Sequence, residues 1–313
     1  MQKSRAWISS WLLASAIGLA VSGCGEGLHY KALRLSDVEE IAPSNIPAPG
    51  EHPLRVAVGS VISPKGTAGS YRGLVTYLGK KIGRPAELIQ RQTYAETNDL
   101  VRRGDVDIAL VCSGAYVAGQ RDFGMELLAA PQVNGEVVYY SYLVVPGNSP
   151  VQTLPQLRGK VFAFTDPLSN SGRLSAAYLL WQMGERPDTF FQKTIYTYSH
   201  DNSLKAVADG LVDGAAVDSL VYDAILAREP RYAERVRIIY RSPPYGMPPV
   251  VVPPGLDPAL KVQLRDTLLN MHQDKEGQAI LAELAIDRFV PIEDKAYASI
   301  RDMISAVGQQ KWP

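Results

Sequence analysis

Two stretches of this chain share one local pattern, and that pattern limits the possible folds more than any other feature. Residues 100–111 read LVRRGDVDIALV, and residues 206–217 read AVADGLVDGAAV. Both predict a helix that ends at a glycine and is followed by an aspartate at the start of a buried strand. Many turns between a helix and a strand use these residue types, so a plain turn is the alternative. The repeat favours two similar α/β units.

The chain from Leu54 onward alternates short apolar runs with helical patterns in both halves. The first half predicts strands at 54–60, 86–91 and 106–111 around helices at 71–82 and 94–103. The second half predicts strands at 159–164, 194–199 and 212–217 around helices at 171–183 and 203–209. This alternation is typical of α/β units that each contain a mostly parallel sheet.

Two β-rich segments bounded by proline, residues 137–147 and 243–254, flank the second unit and are the natural crossover strands. The predicted fold class is therefore a two-lobed α/β fold in which the second lobe is inserted into the first. Such lobes can rotate about two hinge strands and close on a ligand at the carboxyl ends of the strands. The predicted boundaries are 54–147 plus 245–313 for lobe I and 148–244 for lobe II.

The first 24 residues predict export from the cytoplasm. Lys3 and Arg5 precede an uncharged apolar run, as in a bacterial signal peptide. The run ends in Val-Ser-Gly-Cys, which resembles a lipobox, so Cys24 is expected to be lipidated and to anchor the protein outside the cytoplasm. An uncleaved membrane anchor is the alternative, since about 18 apolar residues can barely span a bilayer. Residues 25–53 are interpreted as a tether.

Composition and missing motifs limit the function. Lys and Arg balance Asp and Glu at 32 each, so there is no broad basic field for nucleic acid. The sequence contains no G-x-S-x-G, H-E-x-x-H, Walker or G-x-G-x-x-G motif, and its histidines are too scattered for a zinc site. We therefore expect no enzyme activity, no cofactor and no metal, and we expect a monomer.

The strongest candidate site is the run Ser169, Asn170 and Ser171, which follows a predicted strand and opens a helix. Hydroxyls, an amide and unpaired backbone N–H groups at a helix N-terminus form an anion site that needs no lysine. A plain N-cap is the alternative, but a cap needs only one such residue.

The matching strand of lobe I ends in Cys112, Ser113, Gly114 and Tyr116, where small residues would let the backbone approach a ligand. Tyr94 begins the preceding helix and could face the same cleft. Cys112 alone can be a buried small side chain or a reactive thiol.

Two further residues end predicted strands of lobe II. His200 could donate a hydrogen bond to an anion, as a switchable cation. Asp218 would repel an anion unless the ligand supplies a proton or another donor. This predicts a monoprotonated oxyanion or a ligand that carries an ammonium group.

Together these residues resemble the phosphonate/phosphite/phosphate-binding family of ABC-transporter substrate-binding proteins, which has a type II periplasmic-binding fold. The matching segments are QTY (92–94), DIALVCSGAY (107–116), DPLSNSG (166–172), SH (199–200), AVDS (216–219) and SPPYGMPP (242–249). The resemblance implies that Tyr94 and Tyr116 contact the oxyanion from lobe I. It also implies that the Ser-Asn-Ser run holds the oxyanion, while His200 and Asp218 close from lobe II.

The departures from the family pattern bear on the ligand. Phosphonate binders typically have Ser-Thr-Ser-Gly where this chain has Ser-Asn-Ser-Gly, and a glutamate where Leu220 falls. The segment around Cys112 is closer to the phosphite-type branch. The resemblance thus implies capture of a small phosphorus oxyanion for an ABC permease. The alternative is a lipid-anchored sensor that binds arsenite through Cys112, or another oxyanion, and docks on the ectodomain of a histidine kinase.

Overall fold

The computed structural model describes residues 52–308 of the chain. The predicted signal peptide, the predicted lipidation of Cys24 and residues 25–51 of the predicted tether lie outside this range. Within the described range, no helix has both the length and the apolar character needed to cross a membrane.

The strands fall into two large sheets and one short ladder. In chain order within residues 52–308 they are β1 (Leu54–Val58), β2 (Ala86–Gln90), β3 (Ile108–Leu110), β4 (Glu126–Gln132), β5 (Val138–Tyr139), β6 (Ser141–Pro146), β7 (Val161–Phe164), β8 (Lys193–Tyr196), β9 (Gly214–Asp218), β10 (Val236–Arg241), β11 (Tyr245–Gly246), β12 (Val250–Val252) and β13 (Arg288–Val290).

The helices cover the two large sheets. In chain order within the same range they are α1 (Pro64–Ile82), α2 (Tyr94–Arg103), α3 (Ser113–Phe123), α4 (Ser175–Gln182), α5 (Pro187–Phe190), α6 (His200–Ala208), α7 (Ser219–Arg228), α8 (Tyr232–Arg235), α9 (Pro258–Asn270), α10 (Lys275–Glu283) and α11 (Ala298–Gly308).

Each large sheet contains a parallel trio extended by antiparallel strands. The first sheet has the order β13-β4-β12-β3-β1-β2, and the second has the order β10-β6-β9-β7-β8. The parallel trios are β2-β1-β3 and β8-β7-β9. The strands predicted from the alternating pattern therefore pair in parallel, as expected, and the antiparallel strands that complete each sheet are an addition to that expectation. Strands β12 and β6, which follow the crossovers, pair antiparallel to β3 and β9.

The chain leaves the first sheet after β4, forms the second sheet with β6–β10, and returns with β12 and β13. This topology confirms the two-lobed fold with an inserted second lobe. Hereafter lobe I means the elements packed on the first sheet and lobe II means those packed on the second.

The hinge is the short antiparallel ladder between β5 and β11, in which Tyr139 lies opposite Tyr245. The predicted change of lobe after residue 147 is too late, because β6 already pairs with β9 and β10 in the second sheet. A continuous β-rich run such as 137–147 does not reveal where a strand changes sheets, since both parts are equally apolar. The predicted boundary at 244/245 stays a prediction.

The sequence repeat corresponds to a structural repeat. Gly104 and Gly210 end α2 and the α6 region with φ of 67° and 68°, a left-handed conformation that favours glycine. The carboxylate of Asp107 accepts a backbone N–H from β1, and that of Asp213 accepts one from β7, each at 2.8 Å. The two aspartates therefore tie the strand that follows the helix to the neighbouring parallel strand.

One hydrophobic cluster joins the lobes. It contains Tyr94 and Val111 of lobe I, Tyr139 of the hinge, Ala177 of α4 and Met303 of α11, all of them buried. Because apolar contacts continue across the hinge, the two lobes pack as one unit in this structure.

Candidate ligand-binding site

The candidate site lies between the lobes, where both parallel trios end. The carboxyl ends of parallel strands are where ligands bind in open α/β sheets. In this chain each of the six parallel strands leads into a residue at the interlobe face: Val61 after β1, Tyr94 after β2, Cys112 after β3, Ser169 after β7, His200 after β8 and Asp218 at the end of β9.

Hydrogen bonds donated by backbone N–H groups connect the lobes directly at this face. The Tyr94 N–H donates to the carboxylate of Asp166 at 3.0 Å, and the His200 N–H donates to the carbonyl of Val61 at 2.9 Å. Each bond joins a residue of lobe I to a residue of lobe II. The lobes are therefore closed upon each other.

Gly114 permits the closest approach of the two lobes. A Cβ atom at this position would lie 2.4 Å from the carbonyl oxygen of Leu168 and 3.0 Å from the nitrogen of Asn170. Neither backbone atom can move aside cheaply. Closure of the lobes therefore requires glycine here. The expected approach of this backbone to a ligand stays a prediction.

The Ser-Asn-Ser run divides into two roles. The Ser169 hydroxyl accepts the N–H of Gly172 at 2.9 Å and is thus the N-cap. Asn170 and Ser171 are fully buried, and neither the Asn170 Oδ1 nor the Ser171 Oγ has a hydrogen-bond partner within residues 52–308. A π-helical turn, Asn170–Leu174, opens the helix here, and such turns are frequent at functional sites.

Asp218 is a buried carboxyl whose protonation is finely balanced. Burial raises its pKa to about 7, and the N–H of Leu220, which donates to it at 2.7 Å, lowers the pKa only in part. The Ser171 hydroxyl lies near enough to lower this pKa slightly, although the two groups do not meet hydrogen-bond geometry. Near neutral pH this group can therefore hold or release a proton.

His200 is a neutral imidazole in this fold. Burial lowers its pKa to about 3, and its Nδ1 accepts the N–H of Asp218 at 3.0 Å. The ring proton of the neutral form therefore sits on Nε2, which is a donor. The expectation of a switchable cation is not met at neutral pH, because burial disfavours the charged imidazole and the carboxylate of Asp201 offsets this effect only in part.

Tyr94 and Cys112 complete the site from lobe I. The Tyr94 hydroxyl is buried without a partner among the described residues. Burial raises its pKa strongly, and Cys112, Asp166 and Asp218 raise it further, so these groups are neighbours. Burial also raises the pKa of the Cys112 thiol, against the backbone N–H groups of Asn170, Gly114 and Ala115. The thiol is thus protonated and lies among several N–H donors.

Two predicted contacts have other partners in the structure. The Tyr116 hydroxyl donates to Asp294 at 2.6 Å, and its ring packs on Tyr297 with centroids 4.7 Å apart. The Ser113 hydroxyl donates to the carbonyl of Gly246 in β11 at 2.7 Å. Direct contact of these two side chains with a ligand stays a prediction.

Three residues near the site were not predicted from the sequence. The Tyr139 hydroxyl accepts the Asn170 amide N–H at 3.0 Å, and the Ser199 hydroxyl is buried without a partner among the described residues. Burial and the charge of Asp218 raise the pKa of Tyr71, which places this α1 residue near that carboxyl. The two tyrosines read as core residues in the sequence, which gives no signal for them. Ser199 lies in the matching segment SH (199–200), but no role was assigned to it.

The arrangement suits an anion that carries a proton. Hydroxyls and backbone N–H groups can donate to charged oxygens, while the Asp218 carboxyl can accept a proton or share one. Within residues 52–308, no group of three or more His, Cys, Asp or Glu side chains could hold a metal ion.

Comparisons with known proteins show the family of this chain. The profile of the family described as "ABC transporter, phosphonate, periplasmic substrate-binding protein" matches residues 56–297. The phosphonates-binding periplasmic protein of Escherichia coli is 26% identical over 229 residues, which cover 72% of this chain and 68% of that protein. The phosphate-import protein PhnD of Mycolicibacterium smegmatis is 25% identical over 262 residues, which cover 77% and 82%.

A solved structure shows the same fold. PhnD1 of Prochlorococcus marinus in complex with methylphosphonate superposes with a TM-score of 0.75 at 21% identity, covering 82% of this chain and 98% of that chain. Because the family profile spans more than half of the sequence and includes every residue of the interlobe site, this chain belongs to the family of periplasmic substrate-binding proteins of phosphonate ABC transporters.

Proposed function

We propose that this protein captures a small, singly protonated phosphorus oxyanion (phosphite, phosphate or a simple phosphonate) and delivers it to an ABC permease. One observation carries the proposal. Three buried polar atoms, the Tyr94 hydroxyl, the Asn170 Oδ1 and the Ser171 Oγ, have no hydrogen-bond partner among the described residues. Buried polar groups are nearly always paired in native proteins, so such a cluster at an interlobe face favours a polar ligand.

The chemistry of the cluster supports an oxyanion. The Tyr94 and Ser171 hydroxyls can donate to negatively charged oxygens, and Asp218 can accept the one proton that the ligand retains. The proteins that resemble this chain are named for phosphonates and phosphate, and one was solved with methylphosphonate. The positions of the ligand contacts in this chain are part of the proposal.

We propose binding without catalysis. A nucleophilic cysteine needs a lowered pKa, whereas burial raises the pKa of the Cys112 thiol. The neutral His200 uses its Nδ1 to accept the backbone N–H of Asp218, so that nitrogen cannot serve as a general base.

Membership of the family implies a location outside the cytoplasm. We propose that a lipid on Cys24 anchors the protein to the membrane on that side. The motive is the Val-Ser-Gly-Cys run after an uncharged apolar segment. In cells grown with radiolabelled palmitate, the wild-type protein should carry the label and the Cys24→Ser variant should not. A wild-type protein that stays unlabelled would contradict the anchor.

The ligand is tested by thermal unfolding with phosphite, phosphate, methylphosphonate, sulfate and arsenite. A ligand at 100 times its Kd stabilises the folded state by about 2.7 kcal/mol, so true ligands raise the Tm clearly. We expect a rise with at least one phosphorus oxyanion and little with sulfate, which lacks a proton for Asp218. No rise with any phosphorus compound would overturn the proposal. A rise with arsenite alone would favour the sensor.

A further inference from the structure

We propose that Tyr139 is a positioning residue for the anion, whose hydroxyl holds the Asn170 side-chain amide with its NH2 group toward the ligand. This inference rests on the proposed function, since it concerns the same site. It concerns a hinge residue outside the set of residues that the sequence points to.

The position of Tyr139 links the hinge to both lobes. It lies in β5 and its side chain is fully buried. Its hydroxyl is 3.0 Å from the amide nitrogen of Asn170 in lobe II. Burial raises the pKa of this hydroxyl far above its usual range, and the Ser113 side chain of lobe I, together with that of Asn170, lowers it in part. This hydroxyl therefore contacts Asn170 of lobe II and lies near Ser113 of lobe I.

The orientation of the Asn170 amide determines whether it repels or binds an anion. With Nδ2 donating to Tyr139, the opposite Oδ1 is buried without a partner among the described residues. An acceptor oxygen beside an anion would be repulsive. The two ends of an amide occupy nearly the same space, so the group can turn over without displacing its neighbours.

After that turn, every group of the network has a partner. The Tyr139 hydroxyl can accept or donate, so it donates its proton to the Asn170 Oδ1. The amide NH2 then points where the Oδ1 was and donates to the anion. A phenylalanine at position 139 would leave the Oδ1 without a donor in this bound arrangement, and an unsatisfied buried acceptor is costly.

The paired hinge residue provides a matched control. Tyr245 lies directly opposite Tyr139 in the ladder, with ring centroids 6.2 Å apart. Its hydroxyl donates to Ser175 at 3.1 Å and lies 3.5 Å from the sulfur of Met303, so it too bridges the lobes. These contacts include none of the proposed anion ligands. Tyr245→Phe thus removes the same group from the same hinge without affecting Asn170.

The experiment measures methylphosphonate and phosphite affinities by calorimetry for the wild type, Tyr139→Phe and Tyr245→Phe. We expect Tyr139→Phe to bind about tenfold or more weakly, as removal of one buried hydrogen-bond partner implies. Tyr245→Phe should bind within about threefold of the wild type. Equal losses in both variants would show a general hinge effect and overturn the positioning role.

A double-mutant cycle tests whether Tyr139 acts through Asn170. In an Asn170→Ala background, Tyr139→Phe should cause less than about twofold further loss, because the amide it positions is gone. Independent, additive losses would overturn the inference. A wild-type protein that binds neither probe would instead overturn the proposed function, so the two failures are distinguishable.

Discussion

The two copies of the repeated segment end at equivalent places in the fold, but the residues that follow them differ in charge and hydrogen bonding. Cys112 and Asp218 each follow the third strand of a parallel trio, and each is the N-cap residue of the next helix. Asp218 caps α7 through its carboxylate, which accepts the Leu220 N–H. Cys112 makes no side-chain cap on α3. In the first turn of α3, the N–H groups of Gly114 and Ala115 lie against the thiol instead of a carboxylate.

In the proposed function, this difference lets one fold unit supply two halves of an anion site. Lobe I would contribute the positive end of a helix without a side-chain cap, and lobe II would contribute a carboxyl with a pKa near neutrality. A carboxylate in both places would leave no net attraction for an anion. A cysteine in both places would leave no acceptor for the proton of the ligand.

The largest effect is expected when the N-cap residue of lobe I is replaced by aspartate, the N-cap residue of lobe II. Cys112→Asp would place a second carboxylate among the N–H donors. Two like charges about 4 Å apart repel by about 4 kcal/mol near a protein surface, so methylphosphonate affinity should fall at least about 100-fold. Calorimetry measures the loss.

Cys112→Asn is the matched control, since it has the shape of aspartate without the charge. We expect it to bind at least about tenfold more tightly than Cys112→Asp. Equal affinities of the two variants would mean that charge at this position is unimportant, and the comparison of the two caps would lose its basis.

Asp218→Asn tests the carboxyl of lobe II through the pH dependence of the free energy of unfolding. The pKa of Asp218 is about 7 in the folded protein and about 4 in the unfolded chain. The folded state therefore holds this proton more tightly, and the stability that the protonated carboxyl contributes below pH 4 is lost as the pH rises to 7. Asparagine does not titrate. The stability of Asp218→Asn relative to the wild type should therefore grow between pH 4 and pH 7, by about 2 kcal/mol or more.

Urea unfolding of both proteins at pH 4.5, 5.5 and 7 measures this difference. His200 contributes in the opposite direction, since its pKa falls from about 6.5 to about 3 on folding, but it is present in both proteins and cancels. A stability difference that is constant across this pH range would contradict the raised pKa of Asp218.

The smallest effect separates the two serines of the Ser-Asn-Ser run. Ser171→Ala removes an unpartnered hydroxyl and should weaken phosphite binding about tenfold, since a hydrogen bond to a charged group contributes about 1.5–3 kcal/mol. Ser169→Ala removes a cap and should cost about 1 kcal/mol of stability with a smaller loss of affinity. Calorimetry and thermal unfolding of both variants test this, and the reverse pattern would refute the division of roles.

The sequence by itself determined the local features of this protein. The Gly-x-Val-Asp repeat, the helix at 94–103 and the Ser-Asn-Ser helix start depend on backbone conformations and caps that a few neighbouring residues specify. The position of Asp218 and Gly114 at the interlobe face could also be predicted, because the ends of parallel strands meet at one edge of a sheet.

Only the tertiary structure decided what depends on distant parts of the chain. The place where β6 joins the second sheet depends on its pairing with β9 and β10, which local hydrophobicity does not encode. The low pKa of His200 and the raised pKa of Asp218 come from burial between lobes that the sequence cannot measure. Tyr139 meets Asn170 from 31 residues away in the chain because the hinge strand passes beneath the site, and no local pattern predicts such a contact.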